Sequence, residues 1–339
     1  MNKKRVLAML LAGAMALSMT ACGGGNSAST DDSSKDCGAS ASGGSYKVSV
    51  ILKTLAAEYW QYVKSGAEDY ASEHSDKVTV EVKGPSSETA FDEMQNMIET
   101  DLSSGSYDGV IISPLQSDTA AQLVSGTKLP IIAIDTNFEA PEVKSFVGTG
   151  NEAAAKKGGE AAVEAAKAAG WTDIKCIEIA GVQGDQTNTA RMNGYKAGVE
   201  EAGGTFLSDE VQYADATADR ATTAMEAIMQ THPEGIAIIC ANNDDMAMAA
   251  ARAAQGHDAY KNTIFLGFNG DRAACEAILA GQMTMSVAQM AYEMGYKAVE
   301  TMVQVLDGET VDEFVDSGSD VVTPDNAQER LDTLKTQLH

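Results

Sequence analysis

From Tyr46 onward, short apolar runs bounded by turn residues alternate with stretches of helical spacing, in two successive series. Apolar runs without polar alternation are strands buried on both faces, and strands separated by helices form parallel sheets covered on both sides. In the first series VSVIL (48–52), VTVEV (78–82), GVIIS (109–113) and PIIAID (130–135) are predicted strands. Helices are predicted over 58–73 and 88–102, with a short one from Asp118. In the second series an Ala-rich helix over 152–169 leads into strands IKCIEIA (174–180), GIAIICA (235–241), TIFLGF (263–268) and MTMSVAQ (283–289). FLSDEVQY (206–213) lies among them, and a helix over 290–306 follows. A chain of 339 residues is long enough for two domains. The predicted fold class is α/β, with two doubly wound parallel-sheet lobes.

Hydrophobic residues make up 44% of the chain and charged residues 22%, ordinary values for a protein with a real core. The 24 basic against 49 acidic residues leave a formal charge of −25. A surface this acidic repels phosphate backbones, so no nucleic-acid partner is expected. The one sustained apolar run lies in residues 1–22, MNKKRVLAMLLAGAMALSMTAC. Lys3, Lys4 and Arg5 form a basic flank, and the apolar stretch after them is short for a spanning helix, as in a signal peptide. Its end at Cys22 resembles the lipobox of bacterial lipoproteins, with Met19 where Leu is more usual. That resemblance implies lipidation of Cys22, membrane contact through the lipid anchor only, and a place on the outer face of the bacterial cytoplasmic membrane. Residues 23–45 are Gly, Ser, Ala and Asp with almost no apolar content, a flexible tether.

Of the other cysteines, Cys37 lies in the tether and Cys176, Cys240 and Cys275 in the folded part. Cys176 begins one predicted strand and Cys240 ends another, so the two sulfurs are expected at opposite ends of a parallel sheet, too far apart to bridge. Buried free thiols are the expectation. The four histidines, His74, His232, His257 and His339, are scattered, and no metal or cofactor is expected.

Ligands of open α/β sheets bind beyond the carboxyl ends of the strands. Lys53, Ser113 and Asp135 follow strands of the first series, and Tyr59 and Trp60 open its first helix. In the second series Asn243, Asn269 and Gln289 stand at strand ends, and Arg191 opens a helical stretch. Singly, each has a plain structural role open to it, as helix cap or core. Together they combine aromatic rings with planar amide, carboxylate and guanidinium groups, which suits a polyhydroxylated ligand such as a sugar.

Several segments, in order, resemble the ribose/allose-binding group of type I periplasmic binding proteins of ABC transporters. They include YWQYVKSGAED (59–69), YDGVIISPLQSD (107–118), FVGTGN (146–151), CANNDDMAMAAARA (240–253), FLGFNG (265–270) and AGQMTMSVAQ (280–289). The likeness covers nearly all of 46–323. It implies two similar lobes joined by a hinge of three crossovers, with one sugar in the cleft, handed to an ABC permease and its ATPase by a monomer. Lys53, Trp60, Asp135, Asn243 and Gln289 fall on ligand-contact positions of that group, as does Arg191, with Tyr59 beside them. The implied lobes are residues 46–149 plus 290–316 and residues 150–289 plus 317–339. Two departures, Ala57-Glu58 for a usual Asn-Pro and Asn269 for a usual Asp, alter polar contacts. The individual sugar is therefore not carried over from the resemblance.

The sequence keeps other readings open. A dinucleotide enzyme would need a glycine-rich loop, and Gly148-Thr149-Gly150 fits a crossover better. A DNA-binding regulator would need a helix-turn-helix where the tether stands. A sensor presenting its ligand to a membrane receptor, or a binder of a signalling furanone or nucleoside, is the alternative to sugar import.

Overall fold

The structure is a computed structural model that describes residues 45–338. The expected signal peptide with Cys22, and all but the last residue of the expected tether, lie outside the described residues.

The first lobe begins with strand β1 (Tyr46–Ile51), helix α1 (Glu58–Glu73), β2 (Val78–Lys83) and α2 (Phe91–Ser104). It continues with β3 (Gly109–Ile112), α3 (Ser117–Val124), β4 (Ile131–Ile134) and β5 (Val143–Gly148). The second lobe opens with α4 (Asn151–Ala168), β6 (Lys175–Ala180), α5 (Gln186–Glu201), β7 (Thr205–Phe206), β8 (Gln212–Tyr213) and α6 (Ala218–Thr231). Then come β9 (Ile238–Ala241), α7 (Asp244–Ala254), β10 (Ile264–Asn269), α8 (Arg272–Leu279) and β11 (Met285–Gln289). Finally α9 (Ala291–Leu306) and β12 (Phe314–Asp316) return to the first lobe, and β13 (Ser319–Val322) and α10 (Ala327–Gln337) to the second.

The first sheet runs β12-β5-β4-β3-β1-β2, all parallel. The second runs β13-β11-β10-β9-β6-β7, with β8 also on β6, and only β13 is antiparallel. Every residue of β3, β4 and β9 is buried, as expected of strands covered by helices on both faces. Helices α1 and α9 lie backbone to backbone under the first sheet. A Cβ on Gly66 would strike the Tyr292 carbonyl, and one on Gly295 the Val63 carbonyl, so glycine is required at both. The chain passes between the sheets after β5, after β11 and between β12 and β13, three neighbouring connections of a kind that permits hinge bending.

Three local expectations are corrected. The region 206–213 is split into two two-residue strands by a 3-10 turn at Ser208–Glu210. The helix expected from residue 88 starts at Phe91, leaving Glu88 in the preceding loop. The Cys176 and Cys240 sulfurs are 3.4 Å apart, not at opposite ends of the sheet. The register aligns Cys176 with Ile238 and Glu178 with Cys240, so the thiols are diagonal neighbours on one face. Both are buried free thiols, as is Cys275.

Candidate functional site

The carboxyl ends of the two sheets face each other across a cavity of about 640 Å³. Of the nine residues expected at a site, all but Ser113 line it.

On the first-lobe side, Asp135 follows β4 with φ of 63°, a left-handed conformation that a non-glycine residue adopts at a cost. Its carboxylate is held from three sides. Tyr59 Oη donates to Oδ1 at 2.8 Å, Thr136 Oγ1 donates to Oδ2 at 2.9 Å, and Lys53 Nζ stands 3.8 Å from Oδ2. Burial and the adjacent carboxylate push the Tyr59 phenol well above its ordinary value, so it stays a donor. Tyr59 and Trp60 form an edge-to-face pair with centroids 5.0 Å apart, and Lys53 Nζ lies 5.9 Å from the Trp60 ring. Trp60 is more a core residue than the sequence reading implies. It is 3% exposed, packs in the hydrophobic core, and donates from Nε1 to Glu88 Oε1 at 2.8 Å.

On the second-lobe side, Arg191 is buried, with its guanidinium carbon 3.8 Å from the centroid of the Phe268 ring. Nε donates to Asn151 Oδ1 and Nη1 to the Asn242 carbonyl, both at 2.8 Å. Those bonds leave three of the five guanidinium N–H groups for a ligand. Burial lowers the Arg191 pKa, yet guanidinium remains charged at neutral pH. Behind it, Asn242 Nδ2 donates to Glu178 Oε1 at 2.9 Å. Glu178 is fully buried, its Oε2 has no partner, and burial pushes its carboxyl up to about 8.

Asn243 caps α7, accepting from the Met246 N–H at 2.8 Å and donating to the Ala216 carbonyl at 3.1 Å. The cap role weighed in the sequence is thus occupied, with one amide hydrogen left over for the cavity. At the crossover, Gln289 Nε2 donates to Asn269 Oδ1 at 2.9 Å and Asn269 Nδ2 donates to Asp271 Oδ2 at 3.3 Å. Asn269 has φ of 131°, so two of the four non-glycine residues with positive φ among the described residues are expected ligand residues. Strain of this kind persists where the surroundings hold it, and here it aims polar side chains into one cavity.

Ser113 is not brought to the cavity. Its N–H still bonds the Ile51 carbonyl at 2.8 Å, so it belongs to the sheet rather than to the loop beyond it, and its hydroxyl is buried without a partner. Conversely, Glu88, Thr136, Asn242 and Asp271 line the cavity without having been singled out, and Glu58 lines it where the sequence showed only a departure from the family's pattern. Thr136 and Asn242 adjoin residues that were singled out. Glu88 becomes a cavity residue only through the late start of α2. Asp271 sits beside buried Asp244, and burial together with that neighbour raises its carboxyl above the ordinary carboxylate range.

The same architecture recurs in known proteins. Residues 48–310 match the family described as periplasmic binding protein domain. This chain belongs to that family. The D-allose-binding periplasmic protein of Escherichia coli is 30% identical over 264 residues, covering 75% of this chain and 82% of the relative. A ribose import binding protein of Bacillus subtilis is 26% identical over 274 residues, covering 80% of this chain and 85% of the relative. Among solved structures, an ABC transporter solute-binding protein of Mycobacterium smegmatis with bound glycerol superposes with a TM-score of 0.70 at 25% identity, covering 84% of this chain and 96% of the other. This periplasmic binding protein thus has the two-lobed α/β fold of its relatives, which are binding proteins rather than enzymes.

Proposed function

We propose that this periplasmic binding protein captures one neutral monosaccharide in the cleft and delivers it to an ABC importer, tethered to the membrane by a lipid on Cys22. The observation that carries the ligand class is the state of the charged groups in the cavity. Lys53 is already opposite Asp135, and Arg191 has two of its donors committed within the second lobe. The carboxyls of Glu58, Glu88, Asp135, Asp185, Asp245 and Asp271 also line the cavity. A phosphorylated sugar would bring its dianion among these with two cations to answer it. A neutral polyol instead meets oriented acceptors, the free Arg191 donors and the Tyr59–Trp60 pair. The named ligands of the relatives, allose, ribose and glycerol, are all uncharged polyols and support this reading.

Binding to the folded state alone stabilises by about 2.7 kcal/mol at a hundredfold excess over Kd. A thermal-shift panel of pentoses, hexoses, polyols, nucleosides, sugar phosphates and amino acids tests the class. A rise in melting temperature with at least one neutral sugar, and none with the charged ligands, is the expected result. A rise with charged ligands only overturns the reading.

A further inference from the structure

The ligand cavity adjoins a second space along one wall. Asp135, Thr136 and Thr187 line the cavity and also line this second space, an open groove of about 540 Å³ on the flank of the lobes. The floor of that groove is built from the first crossover, the starts of α4 and α5, and the sheet edge at β5 and β12. Its far wall is aromatic. Phe146 and Phe314 face each other from adjacent strands in register, ring centroids 5.4 Å apart and planes 25° apart. Phe314 is 43% exposed, one of few large apolar side chains left in solvent among the described residues. Small residues, Gly150, Ala153 and Ala190, keep the space between it and the shared wall open, while Gln186 and Thr187 give the groove polar edges.

We infer that this groove is a second subsite, so that besides a monosaccharide in the cleft the protein takes a disaccharide whose second ring leaves the cleft past Asp135 and packs against Phe314. The inference rests on the sugar reading of the cleft. An exposed ring flanked by amide and hydroxyl groups suits the apolar face and hydroxyl rim of a pyranose, the same chemistry as the Tyr59–Trp60 side of the cleft. The two spaces meet at the shared wall, and a two-unit ligand passes from one to the other over Asp135, Thr136 and Thr187. Gly148 makes the arrangement possible: the Phe146 ring lies where a Cβ at that position would be, and in that place it backs Phe314.

Isothermal titration with paired probes tests it: glucose with maltose and cellobiose, galactose with lactose and melibiose, xylose with xylobiose, and arabinose with arabinobiose. At least one two-unit ligand should bind more tightly than its monosaccharide. Phe314→Ala should weaken that ligand about three- to tenfold, the range of a lost aromatic contact, and leave the monosaccharide within about twofold. Ala153→Trp, at an exposed helical position of the groove, should block the longer ligand by filling the space and likewise spare the monosaccharide. The subsite is overturned if monosaccharides bind and no two-unit ligand does, or if the two variants change both kinds of ligand equally or change neither. If no sugar of either length binds, the sugar reading of the cleft has failed, and the subsite fails with it.

Discussion

Glu58 and Arg272 meet across the gap between the lobes in a two-pronged ion pair, Arg272 Nε to Glu58 Oε1 at 3.2 Å and Nη2 to Oε2 at 3.3 Å. Each is the first residue of its helix, α1 in the first lobe and α8 in the second. Tyr62 Oη donates to Glu58 Oε1 at 2.9 Å and steadies the carboxylate from behind. A contact of this kind exists only while the lobes are together, so it favours the form that touches a ligand from both sides.

The pair is partly solvated, with side-chain exposures of 34% for Glu58 and 52% for Arg272. Its contribution is therefore that of a screened surface pair, about 0.2–1 kcal/mol. Glu58→Gln or Arg272→Gln should raise Kd by about two- to fivefold, chiefly through faster release, and the loss should shrink in high salt. Stopped-flow release rates of the two single variants and of the charge-swapped pair, Glu58→Arg with Arg272→Glu, check this. Single variants that release ligand at the wild-type rate would contradict it.

Trp60 belongs to the core as much as to the cleft, which sets what its removal does. Trp60→Ala should cost roughly 3–5 kcal/mol of stability, as for large aromatic truncations, besides weakening the ligand. Trp60→Phe retains most of the packing and loses the bond to Glu88. Urea unfolding of both variants distinguishes this from a surface platform. Native stability in Trp60→Ala would show that the side chain is not packed as described.

Glu178 gives the second lobe a pH dependence. A glutamate in the unfolded chain ionises at about 4.3. In the fold its carboxyl is pushed up to about 8 by burial. Between those values the folded chain holds a proton that the unfolded chain has released, so stability falls as pH rises across that window. Glu178→Gln keeps the shape and removes the titration. Melting temperatures measured from pH 5 to 8 should fall less steeply in the variant, which should be the more stable protein at pH 8. Parallel profiles would refute the assignment.

How much of this was legible in the sequence follows from which forces are local. The central strands announce themselves as uninterrupted apolar runs because both faces are buried, and the residues at or just past their carboxyl ends, Lys53, Asp135 and Asn269, could be placed at the cleft by the geometry of parallel sheets alone. Three strands beside the crossovers could not. VKSFVG in β5 mixes polar and apolar residues, and β12 and β13 are only three and four residues long and partly solvent-facing, so they carry no such run. Ser113 shows the limit of the strand-end rule, which fails where the chain stays hydrogen-bonded to its neighbour for one residue more. Glu88, Asn151 and Glu178 reach the site through contacts with Trp60, Arg191 and Asn242 that are 28, 40 and 64 residues away, and no local pattern encodes such pairs. The cysteine expectation failed for a related reason. The register of β6 against β9 is set by the packing of whole lobes and cannot be read from either strand.

The central claim is that one sugar is held from both lobes at once. Isothermal titration of the best neutral sugar from the thermal-shift panel tests it with one deletion in each lobe. Asp135→Asn removes the charge of the first-lobe acceptor. Asn269→Gly removes the second-lobe amide at a φ that glycine accepts readily. The wild-type chain should bind one sugar per molecule, and each variant should lose about tenfold or more in affinity while keeping its melting temperature without ligand within a few degrees. Binding that survives either substitution unchanged would place the ligand on one lobe alone and contradict the account.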